Sequence, residues 1–121
     1  MISDEELSIL SEECATKFDS IRKPFIGQYV ICRSLNDGIN AGWCIACDET
    51  GVVLKDARRL HYYHPKDQAH NWYEGVAISG LGAESRISDR GLKLITEDYS
   101  LTVCSDEAIH SITSYPVSPQ T

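Results

Sequence analysis

The periodicity of hydrophobic positions changes at Gly27. Before that glycine, apolar residues recur every three or four positions, which places them on one face of a helix. This stripe consists of Leu7, Leu10, Cys14 and Phe18. Ser3 and Glu6 match the capping box that begins many helices, and Pro24 prevents the helix from continuing. The pattern therefore predicts an N-terminal helix within residues 1–23.

Beyond Gly27 apolar and polar residues alternate, which is the period of a half-buried β-strand. The strand-like segments are GQYVICRS at 27–34, AGWCIAC at 41–47 and VVLKDARRLHYY at 52–63. The third segment is long, and we expect it to bend near Asp56. Because turn-rich segments separate the three strands, they predict a meander that opens a β-rich core at residues 25–104.

The second half of the chain is patterned less regularly. Residues 74–82, EGVAISGLG, are small, apolar and glycine-rich, so they predict either a short strand or a closely packed backbone segment. Residues 92–104 predict one or two further strands. Ser105 is a good N-cap for a short helix at 105–114, and 115–121 reads as a tail. We therefore predict one α+β domain, mainly an antiparallel sheet arranged as a meander or small barrel, with an N-terminal helix and a short C-terminal helix.

Charge is distributed unevenly along the 121 residues, whose net charge is −7. Residues 1–19 carry six acids and one base, residues 96–121 carry four acids and no base, and the middle is mildly basic. Net acidity argues against polymeric nucleic acid as a partner, but local arginines can still bind a small anion. The chain has no apolar run of about 18 residues and no basic N-terminal stretch, so we expect a cytoplasmic protein without membrane contact.

The five cysteines are expected to remain free thiols in a cytoplasmic protein. Cys44 and Cys47 have the C-x-x-C spacing of zinc and redox sites, but a regular strand would place them on opposite faces. We interpret them as buried structural thiols. His61, His64 and His70 could be drawn as a metal site, although no helical ligand spacing supports one. We predict no metal and no cofactor.

The segment from Arg58 to His64 gathers two arginines, two histidines and two tyrosines. If residues 58–63 form a strand, their side chains alternate between its two faces. Arg58, Leu60 and Tyr62 lie on the first face, and Arg59, His61 and Tyr63 lie on the second face. Arginine holds phosphate oxygens in a bidentate way, and an aromatic ring stacks on a base. The second face therefore suits a nucleotide, and the alternative is a solvent-exposed face with arginine–aspartate pairs.

Two further arginines lie beside serines in SRISDR at residues 85–90, which reads either as an anion-binding nest or as a polar turn. The chain contains no G-x-S-x-G elbow and no Walker or dinucleotide glycine pattern. A binding protein is therefore expected, with a nucleotide-degrading enzyme or a module without a small ligand as alternatives.

The order of these motifs resembles a known family. Arg33, Gly38 and Gly42 are followed by VVLKDARRLHYY at 52–63, GVAISGLGAESRIS at 75–88 and CSDEAIHSI at 104–112. This order is similar to that of the small phage proteins of the Thoeris anti-defence sponge family, the first class described. The similarity extends from Phe25 to Ile112, and the double arginine after a valine-rich strand is its most specific part.

The resemblance implies a function and a set of binding residues. Family members are not enzymes: they sequester cyclic ADP-ribose isomers made by TIR-domain proteins, and in some members cyclic oligonucleotides of CBASS immunity. They are homo-oligomers, dimers that can assemble into hexamers, with pockets at subunit interfaces, and they act in the host cytoplasm during infection. The expected ligand-binding residues are Arg33, Arg58, Arg59, His61, Tyr63, Ser85, Arg86 and Ser88. Tryptophan is expected after the double arginine, where this chain has histidine and tyrosine, so the identity of the ligand stays open.

Overall fold

The computed structural model describes residues 21–67, 72–96 and 98–118. The strands are β1 (Tyr29–Ser34), β2 (Gly38–Asp48), β3 (Gly51–Tyr62), β4 (Arg86–Ile87), β5 (Gly91–Ile95) and β6 (Tyr99–Val103). The helices are α1 (Trp72–Ser79) and α2 (Asp106–Ser114), and a short 3-10 helix covers Lys23–Phe25. The predicted α+β class and the C-terminal helix are confirmed. Most of the predicted N-terminal helix, residues 1–20, lies outside the described residues.

The sheet is antiparallel, in the order β4-β3-β2-β1-β6, and β5 also pairs with β3. The length of β3 allows this, because its first half pairs with β5 and its second half with β4. In a flat sheet β5 and β6 would lie four strand spacings apart, about 19 Å. The chain from Ile95 to Tyr99 can span only about 14 Å. The sheet must therefore curl toward a small barrel.

A β-bulge interrupts the pairing of β3 with β2. The partners change from Trp43↔Lys55 to Ala41↔Arg58, so Gly42 lies opposite two residues of β3. Asp56, one of those two, has φ +53°, in the left-handed region. The predicted bend near Asp56 is confirmed. The extra residue shifts the alternation of side chains by one position, so the faces of the second half of β3 are offset from those of the first half.

A second irregularity in β2 corrects the expected geometry of the C-x-x-C pair. The register shifts between Cys44 and Ala46, so an extra residue stands between the two cysteines. Cys44 and Cys47 are consequently buried in the same core cluster rather than on opposite faces. The expectation of opposite faces was wrong because strict alternation holds only where no bulge intervenes, whereas their interpretation as buried thiols is confirmed.

Two hydrophobic clusters lie on the two sides of the curled sheet. The first packs between the sheet and both helices and includes Ile31, Leu60, Val76, Ile87 and Ile112. The second lies inside the curl and includes Val30, Cys32, Val52, Leu54 and Ile95. Adjacent residues of β1 contribute to different clusters, which is why this strand is buried on both faces over most of its length.

Helix α1 takes the place of the strand that is one of the two expectations for residues 74–82. The helix is short and buries Gly75, Val76, Ala77 and Ser79, so it has no clear apolar face. Gly75 also lowers its intrinsic helix propensity. The expected strand is absent, but the alternative of a closely packed segment is confirmed, because packing and not propensity stabilises this helix.

Helix α2 begins as predicted. The Ser105 side chain accepts a hydrogen bond from the Ala108 N–H, and its hydroxyl donates to the Ile78 carbonyl, which ties α2 to the end of α1. Gly80 follows α1 with φ +92°, and a β-carbon there would lie 2.6 Å from the Ser111 β-carbon. A glycine is therefore required where the two helices meet. No helix of the described residues is long and apolar enough to cross a membrane.

Replacing Gly51 with alanine is expected to lower the free energy of unfolding by about 2 kcal/mol. A β-carbon at Gly51 would lie 2.7 Å from the Ile95 backbone oxygen, so the β3–β5 pairing would have to shift. Urea denaturation measures the loss. Gly91→Ala is the matched control, since a β-carbon there meets no atom within 4 Å. Equal stability of the two variants would contradict the close strand packing described above.

Candidate functional site

A groove lined by one arginine and three aromatic rings lies where β1, the end of β3 and the start of α1 meet. It encloses about 430 Å³, and its lining residues are Arg33, Tyr63, Trp72, Tyr73 and Glu74. We call it the arginine groove. It brings together Arg33 and Tyr63, two of the residues expected from the sequence to bind a ligand, although they are 30 positions apart.

Strand β1 presents Arg33 to this groove because its other residues are taken up by the core. Arg33 is the exposed position in an otherwise buried strand. Tyr63 and Tyr73 pack against the hydrophobic cluster between the sheet and the helices, so each side chain is partly buried. Burial raises the pKa of Tyr63, Tyr73 nearby raises it further, and Arg33 lowers it. The guanidinium and these two phenols thus share one local environment.

Trp72 and Glu74 complete the arginine groove from the start of α1. Trp72 has φ +57°, and 72 % of its surface is exposed. The indole is therefore available to a ligand. Glu74 is exposed and supplies the one carboxylate among the described residues that line the groove. Chemically, the guanidinium can hold phosphate, the rings can stack on a base, and the carboxylate can accept from a base amino group or a ribose hydroxyl.

Arg33 also borders a second groove on the side of β6. That groove encloses about 400 Å³, and its other lining residues are Ser34, Leu35, Asp98, Tyr99 and Ser100. One guanidinium consequently separates two concave surfaces.

Arg58 is not available to a ligand in this structure. It is only 1 % exposed, and its guanidinium donates to three backbone carbonyls. Nε donates to Ser88 at 2.8 Å, while Nη1 donates to Ile112 at 2.7 Å and Tyr115 at 2.6 Å. Two of these carbonyls lie at the C-terminal end of α2, where a positive charge is favoured. Arg58 therefore joins β3, the segment after β4 and α2, which is a structural role that the strand pattern did not indicate.

Arg59 and His61 lie on the exposed side of β3. The Arg59 guanidinium lies over Gly38, where Nη2 would be 3.3 Å from a β-carbon at that position. Its backbone N–H donates to the Ser88 hydroxyl at 2.8 Å. Neither side chain lines the arginine groove. The expectation that Arg59, His61 and Tyr63 form one cationic and aromatic face is therefore met only in part.

Within residues 85–88, the two serines bond to nearby backbone groups, whereas the arginine is exposed on the surface. Ser85 is buried, and its hydroxyl donates to the Gly82 carbonyl at 2.8 Å. The Ser88 hydroxyl donates to the Asp89 carbonyl at 2.9 Å, in addition to accepting from Arg59. Arg86 is exposed on β4, opposite Tyr62. Since backbone groups engage both serine hydroxyls, the polar-turn interpretation fits this segment better than an anion nest.

The described cysteines are free and buried. Burial raises the pKa of Cys32, Cys44 and Cys104 to about 12 in each case. Neutral thiols of this kind are poor nucleophiles and poor metal ligands. Within the described ranges no group of three metal-binding side chains is close enough to hold an ion.

The buried thiols predict a loss of stability in alkali. In the unfolded chain they ionise near their ordinary pKa of 9.0, whereas in the folded protein the pKa is about 12. Stability is therefore fully present below pH 9 and is lost as the pH rises from 9 toward 12. Each thiol contributes about 1.4 kcal/mol per pH unit to this slope. Urea denaturation from pH 8 to 10.5 under reducing conditions measures it. Cys104→Ala is expected to reduce the dependence of the unfolding free energy on pH by the contribution of one thiol. An unchanged dependence would contradict the raised pKa of Cys104.

Sequence reasoning did not assign Trp72, Tyr73 and Glu74 to a site. Two adjacent aromatic residues and an acid after a polar loop were the available signal. This signal is ambiguous because the sequence of residues 74–82 predicts a strand or a packed segment, neither of which directs these side chains to one site. Only the helical start of α1 directs these three residues toward Arg33 and Tyr63.

Comparison with known proteins identifies a family but no characterised relative. No curated protein matches the chain significantly, and no solved structure does. Residues 27–112, more than two thirds of the chain, match the family described as Domain of unknown function (DUF6948). This range begins just before β1 and ends within α2, so it contains the entire sheet, all of α1 and most of α2. The chain is therefore a member of the DUF6948 family.

Proposed function

We propose that this protein binds cyclic nucleotide immune signals and sequesters them without degrading them, as a phage anti-defence protein in the cytoplasm of the infected host. The glycocyclic ADP-ribose isomers are the first ligand class, and CBASS cyclic oligonucleotides are the second. The observation that carries the proposal is the arginine groove, in which Arg33 lies among three aromatic rings. The motif resemblance to the Thoeris anti-defence sponges supports the same function.

The chemistry of the groove fits the chemistry of the ligand. A cyclic ADP-ribose isomer carries a diphosphate, ribose hydroxyls and a purine. A single guanidinium can hold two phosphate oxygens, and a purine stacks on tyrosine or tryptophan at about 1–3 kcal/mol per base. The volume of about 430 Å³ lies within the range of small-molecule sites. Each part of the ligand thus has a matching group among the lining residues.

The kind of groups present supports retention of an intact ligand. The groove offers a permanent cation, stacking surfaces and one carboxylate. These groups hold charge and rings in place, which is what a sequestering protein requires. The acidic ends of the chain support the same selectivity, because they repel polymeric nucleic acid while the arginine remains available to a small anion.

A second subunit is part of the proposal. The arginine groove is open on one side, and Trp72 remains largely exposed in the single chain. The resembled family binds its ligands at subunit interfaces, in dimers that can assemble into hexamers. We infer that a neighbouring copy covers the open side. Size-exclusion chromatography with light scattering tests this, and a strict monomer at ligand-binding concentrations would contradict it.

Ligand binding is expected to quench tryptophan fluorescence through Trp72. The protein contains two tryptophans, and Trp43 is held edge-on against Tyr29 with ring centroids 5.0 Å apart. Titration with a glycocyclic ADP-ribose isomer should give a saturable decrease with a stoichiometric end point. Trp72→Phe should remove most of the signal and weaken binding less than tenfold, because a smaller ring still stacks. Persistence of the full signal in Trp72→Phe, or no saturation in the wild type, would contradict the proposed site.

A further inference from the structure

A second concave surface, apolar in character, lies across β2, β3 and β5. It encloses about 360 Å³, and Ile26, Ile45, Val53 and Leu94 line it together with Ala46 and Cys47, while Asp48 and Thr50 also border it. We call it the apolar groove. It is distinct from the arginine groove, with which it shares no residue.

The apolar groove is a continuous surface in the strand register. Ala46 pairs with Val53, which pairs with Leu94, so one row of side chains crosses three strands. The Leu94 side chain is 62 % exposed, and Leu92, two residues away on the same face, is 74 % exposed. Two strand spacings give the row a width of about 10 Å, which is the diameter of a helix with its side chains. A row of this width is suited to receive the apolar face of one helix.

The chain approaches the apolar groove directly from its N-terminal side. The Gly27 N–H donates to the Cys44 carbonyl at 2.6 Å, and the Cys44 N–H donates to the Gln28 carbonyl at 2.9 Å. These bonds fix residues 27–28 against β2, and Ile26 lines the groove itself. Residues 1–20 therefore connect to the described chain only a few residues from this surface.

We propose that residues 3–19 dock on the apolar groove of their own chain as an amphipathic helix. Their sequence supplies the matching surface, a stripe consisting of Leu7, Leu10, Cys14 and Phe18. Seventeen helical residues would extend about 25 Å, enough to cover the row and both exposed leucines. The short connection through the 3-10 helix makes docking intramolecular, which favours the chain's own segment over a second copy.

Photo-crosslinking in the full-length protein tests the docking. Benzoylphenylalanine replaces Leu10 in the stripe or, as the control, Glu12 on the opposite side of the predicted helix. A mixture of ¹⁵N-labelled and unlabelled protein distinguishes crosslinks within one chain from those between chains. We expect the probe at Leu10 to crosslink to β2, β3 or β5 within one chain, at least fivefold more than the probe at Glu12. Crosslinks between chains, crosslinks to other elements, or equal yields from the two positions would overturn the proposal.

Hydrogen exchange provides a second measurement that does not depend on a probe. Leu94→Asp should speed amide exchange within residues 3–19 at least tenfold, because a carboxylate in the apolar groove disfavours docking. Leu94 is exposed, so the variant should fold, and circular dichroism verifies that. Leu35→Asp is the matched control, since Leu35 is 90 % exposed and lies outside the apolar groove. Equal exchange in the two variants would overturn the proposal.

Discussion

Replacing Arg58 with leucine is expected to lower the free energy of unfolding by about 3–5 kcal/mol, a large share of the stability of a domain this size. The buried guanidinium donates to the carbonyls of Ser88, Ile112 and Tyr115. Leucine would leave all three without this donor and would remove the positive charge from the C-terminal end of α2. Thermal and urea denaturation measure the loss.

The neighbouring arginine is the matched control for this prediction. Arg59 is exposed, so Arg59→Leu should change the free energy of unfolding by less than about 1 kcal/mol. If Arg58→Leu does not fold, Arg58→Lys keeps the charge with fewer donors and should give an intermediate loss of stability. The folded Arg58→Lys variant should keep its ligand affinity within about threefold. Normal stability with lost binding would instead make Arg58 a ligand residue.

Arg33→Ala is expected to weaken binding of a glycocyclic ADP-ribose isomer by at least 30-fold, or about 2 kcal/mol. Arg33 supplies the positive charge of the arginine groove, and its removal would leave phosphate oxygens without a charged partner. Because the side chain is exposed on β1, stability should change by less than about 1 kcal/mol. Isothermal titration calorimetry measures the affinity, and denaturation measures the stability.

Arg86→Ala separates a local effect from a general loss of positive charge. Arg86 is also exposed and cationic, but it lies on β4 and does not line the arginine groove. Its substitution should change affinity by less than threefold at physiological salt. Equal losses from Arg33→Ala and Arg86→Ala would indicate that binding is not centred on Arg33.

The strands and the C-terminal helix could be predicted because their signals are local. Alternation marked β1 to β3, and Ser105 with two acids after it marked the start of α2. The bend at Asp56 was also predictable, as an interruption in a strand too long to remain regular. In these cases a few adjacent residues contain the physical cause of the structure.

The features that could not be predicted depend on distant partners. The bulge between Cys44 and Ala46 depends on how β2 pairs with β3, and alternation within one strand does not encode it. The burial of Arg58 depends on carbonyls up to 57 residues further along the chain. The sequence therefore indicated that arginines and rings would meet, but it did not indicate which arginine faces the groove and which one holds the fold.

A release assay tests most directly whether the protein binds a cyclic nucleotide and keeps it intact. Purified protein is mixed with a glycocyclic ADP-ribose isomer or, in parallel, with a cyclic trinucleotide. Free ligand is removed, the protein is heat-denatured, and the supernatant is examined by chromatography with mass detection. We predict that unchanged ligand is released in stoichiometric amount by the wild type and not by Arg33→Ala. A modified product would indicate an enzyme, and no retained ligand from either mixture would contradict the proposed function.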